Sequence, residues 1–465
     1  MYTKIRNRDL KVFEDIVGAA HVHVGAAIDA DLAHDELGTV AAQPEVHLVV
    51  TDKHQIEAIM THCNQEKIPV TVRGSGTGLV GACVPIHGGV LLDMSKLNKI
   101  IELDPLNMTL RVEPGVLLMD IAEYVEKQGF LYAPDPGEKS ATIGGNIATN
   151  AGGMRAVKYG VTRDWVRGLE VVLPSGERIV TGGKVVKNST GYAIKDLIIG
   201  SEGTLGIIVE ATLKLIPLPN KSVSLLVPFD SREQAIDAVP KIIANHALPT
   251  AVEFLEKDSL AFSEEFLGKQ IPHADYPAYL LLSYDGNSDQ QMEDDVNAIS
   301  SFCIDELGAI DVYLVDTDER KQSVWSARGA FLEAIKSSTT EIDECDVVLP
   351  RVHINEFLKF TKNLSRELGV RIPYFGHAGD GNLHIYFCRD ELSEQKWQKA
   401  LEIGFDKMYD KAFELGGLVS GEHGIGYAKK AYMERQVGPA QMTLMRGIKQ
   451  VFDPNNILNP GKILS

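Results

Sequence analysis

The chain has 465 residues, 44% of them hydrophobic and 24% charged, which is the composition of a globular protein too long for one ordinary core. Phosphate binding relies on clustered Lys and Arg, so the net charge of -18 argues against a nucleic-acid surface and disfavours non-specific membrane attachment. The polar opening Met1 to Asp9 lacks the apolar heart of a signal peptide and no apolar run nears twenty residues, so a cytoplasmic protein with no membrane span is expected.

In chain order, residues 45–220 alternate strands and turns. His47 to Val50 reads as a strand and His54 to Gln65 as a helix, and Val70 to Val72 runs into the loop Arg73-Gly74-Ser75-Gly76-Thr77-Gly78. Short strands follow at Gly89 to Asp93, Lys99 to Leu103 and Met108 to Val112, the last two joined by the turn Asp104-Pro-Leu-Asn107. The helix expected over Leu117 to Lys127 should stop at Gly129. From residue 222 to about 350 the pattern changes to two β-α-β successions, with strands near Val223, Ala251, Ala278 and Asp311 and helices near Arg232 to Ala244 and Gln290 to Glu306. These suit one antiparallel sheet with helices on one side. The tail from Phe452 to Lys462 carries turn formers around two prolines and should form an ordered strap.

Successive backbone N–H groups in the loop Arg73 to Gly78 make a nest suited to a pyrophosphate. Asp93, seventeen residues after Gly76, imitates the acidic residue of a Rossmann dinucleotide site. A Rossmann unit needs a crossover helix, however, and the eleven residues Gly78 to Gly88, with Pro85 among them, leave no room for one. Further glycine-rich loops follow at Pro134-Asp-Pro136-Gly through Thr142-Ile-Gly-Gly145-Asn146, at Asn150-Ala-Gly152-Gly153, at Tyr159-Gly160, and at Gly200-Ser-Glu202-Gly-Thr-Leu-Gly206. Any one of these could be an ordinary tight turn. Together they imply a ligand long enough to touch several loops, and a flavin dinucleotide has that length.

The second cluster of chemistry is Gly376-His377-Ala-Gly-Asp-Gly-Asn382-Leu-His384 with Ser420-Gly-Glu422-His423-Gly424. A hairpin across the glycine-rich turn can bring His377 and His384 to one point. Glu422 would complete a two-His, one-carboxylate metal set that leaves coordination positions open for a substrate. Zinc is the leading candidate, and ferrous iron or manganese fits the same ligands.

In order along the chain, Val72-Arg-Gly-Ser-Gly-Thr-Gly78, Thr142-Ile-Gly-Gly-Asn146, Asn150-Ala-Gly-Gly153, Lys158-Tyr-Gly160, Gly200 to Gly206, Gly376 to His384 and Asn459-Pro-Gly-Lys462 resemble the FAD-linked D-2-hydroxyacid dehydrogenases. That group includes D-lactate dehydrogenases and the flavin subunit of glycolate oxidase. The resemblance implies an α+β fold: a two-part FAD-binding domain of the vanillyl-alcohol oxidase type over 1–220, with an N-terminal helical segment, and an antiparallel-sheet substrate (cap) domain over 221–415. Residues 416–465 should return to the FAD domain.

On the same grounds FAD should bind non-covalently, its pyrophosphate on Arg73 to Gly78. Pro136, Thr142, Gly145, Asn146, Gly152, Gly153, Tyr159, Glu202, Gly206, Ile207 and Asn459 should line it. The resemblance makes His423 the general base and Arg328 the partner of the substrate carboxylate, with Asn382 a second substrate contact. Relatives acting on longer dicarboxylates carry a lysine where this chain has Glu344-Cys345, so a short monocarboxylate is expected, D-lactate ahead of glycolate or 2-hydroxyglutarate. The five cysteines are scattered and never form C-x-x-C, so no iron–sulfur site is signalled. Electrons must leave through another protein, an electron-transfer flavoprotein first, with an iron–sulfur subunit or a quinone as the alternative acceptor.

Overall fold

The computed structural model describes residues 2–245, 247–268, 275–315 and 317–464. It divides into two compact units: Met1–Gly152, Val161–Leu218 and Glu422–Ser465 form one, Gly153–Gly160 and Pro219–Gly421 the other. Among the described residues no helix is long and apolar enough to cross a membrane.

The first unit holds a four-stranded sheet in the order Val22–Val24, Val46–Val49, Val90–Asp93, Val70–Arg73. Its helix Lys53–Glu66 buries Ile56, Ile59, Met60 and Cys63, the spacing of one helix face. Asp52 caps its start by accepting from the His54 N–H, and Gln55 reciprocates. That face packs with Phe13, Leu48, Leu92, Val209 and Leu458 in one apolar cluster. A five-stranded antiparallel sheet runs Ile100–Asp104, Thr109–Val112, Ile207–Lys214, Val166–Val172, Arg178–Gly182. The turn before Thr109 is tied by Asp104, which accepts from both the backbone and the side chain of Asn107. The helix Leu118–Glu126 ends in a cap at Lys127, and Gly129 follows at φ +80°.

Val70–Arg73 and Val90–Asp93 do pair in parallel, although no helix joins them. The connection is made of turns, pinned by the Gly81 N–H donating to Asp35 Oδ2 at 2.7 Å. Asp93 meanwhile is engaged with His47 Nε2 at 3.2 Å and the Ser95 N–H at 2.8 Å, so it plays no Rossmann part. The C-terminal strap closes on this sheet, with Leu458 bridging Val70 in parallel and the Asn459 N–H donating to the Val70 carbonyl at 2.7 Å.

The second unit is built on one seven-stranded sheet in the order Tyr313–Val315, Lys221–Phe229, Ala278–Gly286, Ala251–Glu256, Tyr374–His377, Asn382–Cys388, Ile342–Val348. Every pairing is antiparallel. Four of these strands match the expected β-α-β successions, and the last three extend the sheet beyond them. Gly153–Gly160 clusters with this unit and not with the rest of 1–220, because Lys158 and the Tyr159 hydroxyl both bond Asp285. The chain stays in the unit past residue 415, as Leu418 bridges Val348 and the Gly421 N–H donates to Asp346 Oδ2 at 3.1 Å.

The hairpin Tyr374–His377 to Asn382–Cys388 depends on close backbone approach. At Gly381, φ is +86° and an added Cβ would run into the Leu349 carbonyl; at Gly376 it would meet Asn382 O and come within 2.9 Å of Leu383 Cα. Gly376→Ala should therefore cost about 1–3 kcal/mol of stability, read as a lower denaturant midpoint at unchanged slope.

Candidate functional site

The glycine-rich loops of the first unit assemble on one another. The Cβ missing from Gly74 would strike Thr142, and the Ser75 hydroxyl donates to the Ser140 carbonyl at 2.7 Å. Thr142 caps the short helix Ile143–Thr149 by accepting from the Gly145 N–H at 3.3 Å, and Asn146 is buried within that helix. The Gly200 N–H donates to Ile147 O at 3.0 Å and the Glu202 N–H to Ala148 O at 2.8 Å. Three of the expected loops thus share a frame, with glycines where a side chain would fill the space. That arrangement fits a long ligand such as FAD.

Not every expected lining residue offers its side chain. Arg73 is committed to the loop's own support: its guanidinium donates to His34 O at 2.7 Å and Asp31 O at 3.3 Å, and it fills the space beneath Gly76. Thr77 and Gly78 continue the loop, with Asp35 3.6 Å from where a Cβ of Gly78 would sit. The Pro136 carbonyl accepts from Lys139 Nζ at 2.9 Å. Ile207 belongs to the apolar core, and Gly206 packs its backbone against Val171. Gly152 closes its segment of the first unit, where an added Cβ would come within 3.2 Å of the Glu422 side chain, whereas Gly153 and Tyr159 belong to the second unit.

Glu202 and Asn459 anchor the expected catalytic segment instead. The buried Glu202 carboxylate accepts from the N–H groups of Ile425 and Gly426, each at 2.7 Å, which fixes the chain just after His423 and Gly424. Asn459 Nδ2 donates to Glu202 O at 2.8 Å and Ala82 O at 2.9 Å, and Lys462 reaches Val84 O and Asn459 Oδ1. Burial pushes Glu202 up to about 7, only partly offset by those two N–H groups, and burial lowers Lys462 to about 8. The Glu422 carboxylate and His423 Nε2 lie 3.8 Å apart.

In the second unit His377 and His384 stand on adjacent strands with ring centroids 5.4 Å apart. Each presents Nδ1 to a carboxylate: His377 to Glu253 Oε1 at 2.7 Å, His384 to Glu344 Oε1 at 3.0 Å. An ionised carboxylate only accepts, so it favours a proton on Nδ1 of each ring, and in the neutral imidazole this leaves Nε2 as the lone-pair nitrogen. Glu253 is fully buried and also accepts from Arg328 Nε at 2.6 Å. Burial would raise its pKa, but His377 and Arg328 hold it below the ordinary carboxylate range. Arg328 lies over the Phe375 ring at 4.7 Å.

Asn382 does not present its amide donors outward. Nδ2 donates to Asp346 Oδ1 at 2.6 Å and Val347 O at 3.0 Å, both within the frame, because Asp346 is fully buried and needs partners. Asp346 Oδ2 takes the Ser420 hydroxyl at 2.8 Å together with the Gly421 N–H. Residue-by-residue reading missed Glu253 and Asp346, and recognised Glu344 only as an anion. The available signal was a lone carboxylate inside the apolar run Ala251-Val-Glu253-Phe-Leu255.

Because Glu202 titrates near 7 in the folded chain against the ordinary 4.5, the native state holds its proton longer than the unfolded one. Stability is then greatest below about 4.5 and falls as pH rises towards 7, by on the order of 3 kcal/mol from this group. Glu202→Gln should flatten that portion of a thermal-midpoint profile taken from pH 5 to 8.

Residues 44–182 match the family model described as an FAD binding domain, and residues 218–463 match that of the C-terminal domain of FAD linked oxidases. The D-lactate dehydrogenase of Anaerostipes hadrus is 49% identical over 99% of this chain and 98% of its own length. Glycolate oxidase subunit GlcD of Bacillus subtilis is 38% identical over 93% of this chain and 92% of its own. Among solved structures, p-cresol methylhydroxylase with substrate bound superposes with a TM-score of 0.79 at 18% identity, covering 99% of this chain and 97% of that one. The last likeness establishes the fold, that of the vanillyl-alcohol oxidase type with α+β architecture. From these matches along nearly its whole length, the chain belongs to the family of FAD-linked D-2-hydroxyacid dehydrogenases and is an FAD-linked oxidoreductase.

Proposed function

We propose that the protein oxidises a short D-2-hydroxy acid, D-lactate foremost, to the 2-oxo acid, and hands the electrons to a partner protein. The observation that carries the reading is the pair of carboxylate-bonded imidazoles, Glu253 with His377 and Glu344 with His384. A carboxylate behind Nδ1 is the arrangement that fixes a histidine as a metal ligand through Nε2. Glu422, directly after Gly421 in the chain, is the proposed third ligand.

The cation so held, zinc first and ferrous iron or manganese on the same ligands, would polarise a hydroxyl oxygen and lower its pKa. FAD, bound non-covalently on the glycine loops, supplies the acceptor for a hydride. His423 takes the hydroxyl proton as the C2–H bond breaks, work that suits a neutral imidazole near pH 7. Arg328, its Nε engaged by Glu253, offers its remaining edge to the substrate carboxylate.

D-lactate is favoured by the name of the 49% identical relative and by Glu344, whose charge would repel a second carboxylate. Glycolate is the alternative substrate. The absence of any C-x-x-C in the sequence supports an external acceptor, an electron-transfer flavoprotein ahead of an iron–sulfur subunit.

His377→Ala and His423→Ala should each lower kcat by about 100-fold or more while the flavin absorption stays; turnover at the parental rate in either variant would refute the assignment. A steady-state screen of short D- and L-2-hydroxy acids with a dye acceptor should give the highest kcat/KM for D-lactate, and the lactate-reduced protein should be reoxidised by an electron-transfer flavoprotein. A preference for a dicarboxylate or for the L series would overturn the substrate reading.

A further inference from the structure

We propose that Glu253 is a positioning residue that ties the substrate-carboxylate position to the cation position, so that both depend on one buried anion. This rests on reading His377 as a cation ligand and Arg328 as the partner of the hydroxy acid's carboxylate.

The geometry is a three-membered bracket within the second unit. Glu253 lies on the strand Ala251–Glu256, fully buried, and divides its two oxygens between two donors: Oε1 takes His377 Nδ1 at 2.7 Å and Oε2 takes Arg328 Nε at 2.6 Å. His377 comes from the neighbouring strand, which pairs with this one through Phe254 and Gly376. Arg328 comes from the helix Asp318–Gly329. Three elements are therefore set by one carboxylate.

Each bond does a different job. The bond to His377 puts the proton on Nδ1 and so makes Nε2 a lone-pair donor. The bond to Arg328, with the Phe375 face 4.7 Å away and Phe331 at 5.7 Å, fixes the plane of the guanidinium and leaves the edge opposite Nε for a planar carboxylate. Glu253 needs neither to touch substrate nor to ligate a cation to control both. Its burial makes the arrangement stiff, because neither donor can leave without stranding a charge in a dry site.

A glutamine cannot replace it. Both partners donate, whereas an amide offers one accepting oxygen and one donating nitrogen. If the oxygen faces Arg328, the nitrogen forces His377 to accept at Nδ1 and so to carry its proton on Nε2, which removes the ligand. If the oxygen faces His377, the amide nitrogen opposes Arg328 Nε and turns the guanidinium away.

The test compares wild-type holoenzyme with Glu253→Gln for metal per flavin by elemental analysis after dialysis against a weak chelator, and for KM and kcat with D-lactate and a dye acceptor. Flavin content should be unchanged, and either metal per flavin should fall at least tenfold or KM should rise at least tenfold and stay raised when zinc is added back. A variant with wild-type metal content and a KM within twofold of the parent overturns this inference while leaving the proposed function standing. A wild-type protein that holds no cation overturns the function reading and this one with it. Should Glu253→Gln fail to fold, Glu253→Leu combined with Arg328→Met buries no unpaired charge and leaves His377 Nδ1 without its acceptor; loss of metal in that double variant supports the inference, and retention overturns it.

Discussion

Removing a carboxylate from water costs several kcal/mol unless partners replace the lost hydration, and the second unit does this twice at full burial. Glu253 is compensated by one histidine and one arginine, Asp346 by an amide, a hydroxyl and a backbone N–H. In each case the partners come from separate segments. The need to satisfy a buried anion thereby becomes a constraint on where strand, helix and loop can lie. The same unit carries an apolar cluster that includes Leu255, Tyr279, Leu281 and Phe331.

The first unit applies the same device to a different segment. Glu202 accepts two backbone N–H groups immediately after Gly424, and Asp346 in the other unit accepts one immediately before Glu422. The Glu422-His423 pair is therefore flanked on both sides in sequence by residues whose backbone is held by a carboxylate. Loops are ordinarily the mobile part of a fold; here main-chain hydrogen bonds restrain the residues on either side of the pair.

Much of this could be read from the sequence because it is written in local patterns. Ile56, Ile59, Met60 and Cys63 repeat at helical spacing, glycines gather where backbones approach, and His377 and His384 straddle a hairpin turn. The parts that could not be read are those decided by tertiary pairing. Glu253 looks like any odd polar residue in a strand until Arg328 and His377 arrive from far along the chain. Asn382 looks like an outward-facing polar group until Asp346 claims it. Gly153–Gly160 sits among first-unit motifs yet follows Asp285, and the parallel pairing of Val70–Arg73 with Val90–Asp93 is hidden because turns replace the usual helix. Arg73 opens the loop expected to cradle a pyrophosphate, and the carbonyls of residues 31 and 34 take its guanidinium.

The tail has a consequence for how the molecule is made. Val70–Arg73 ends its sheet, and the residue beside it is Leu458, almost four hundred positions later. During synthesis the second unit is fully translated before that neighbour emerges, so the amino-terminal sheet waits with one border open while the later unit can already condense. Closure of that border thus waits for the segment around Leu458, and until this segment leaves the ribosome the border is an unpaired strand edge.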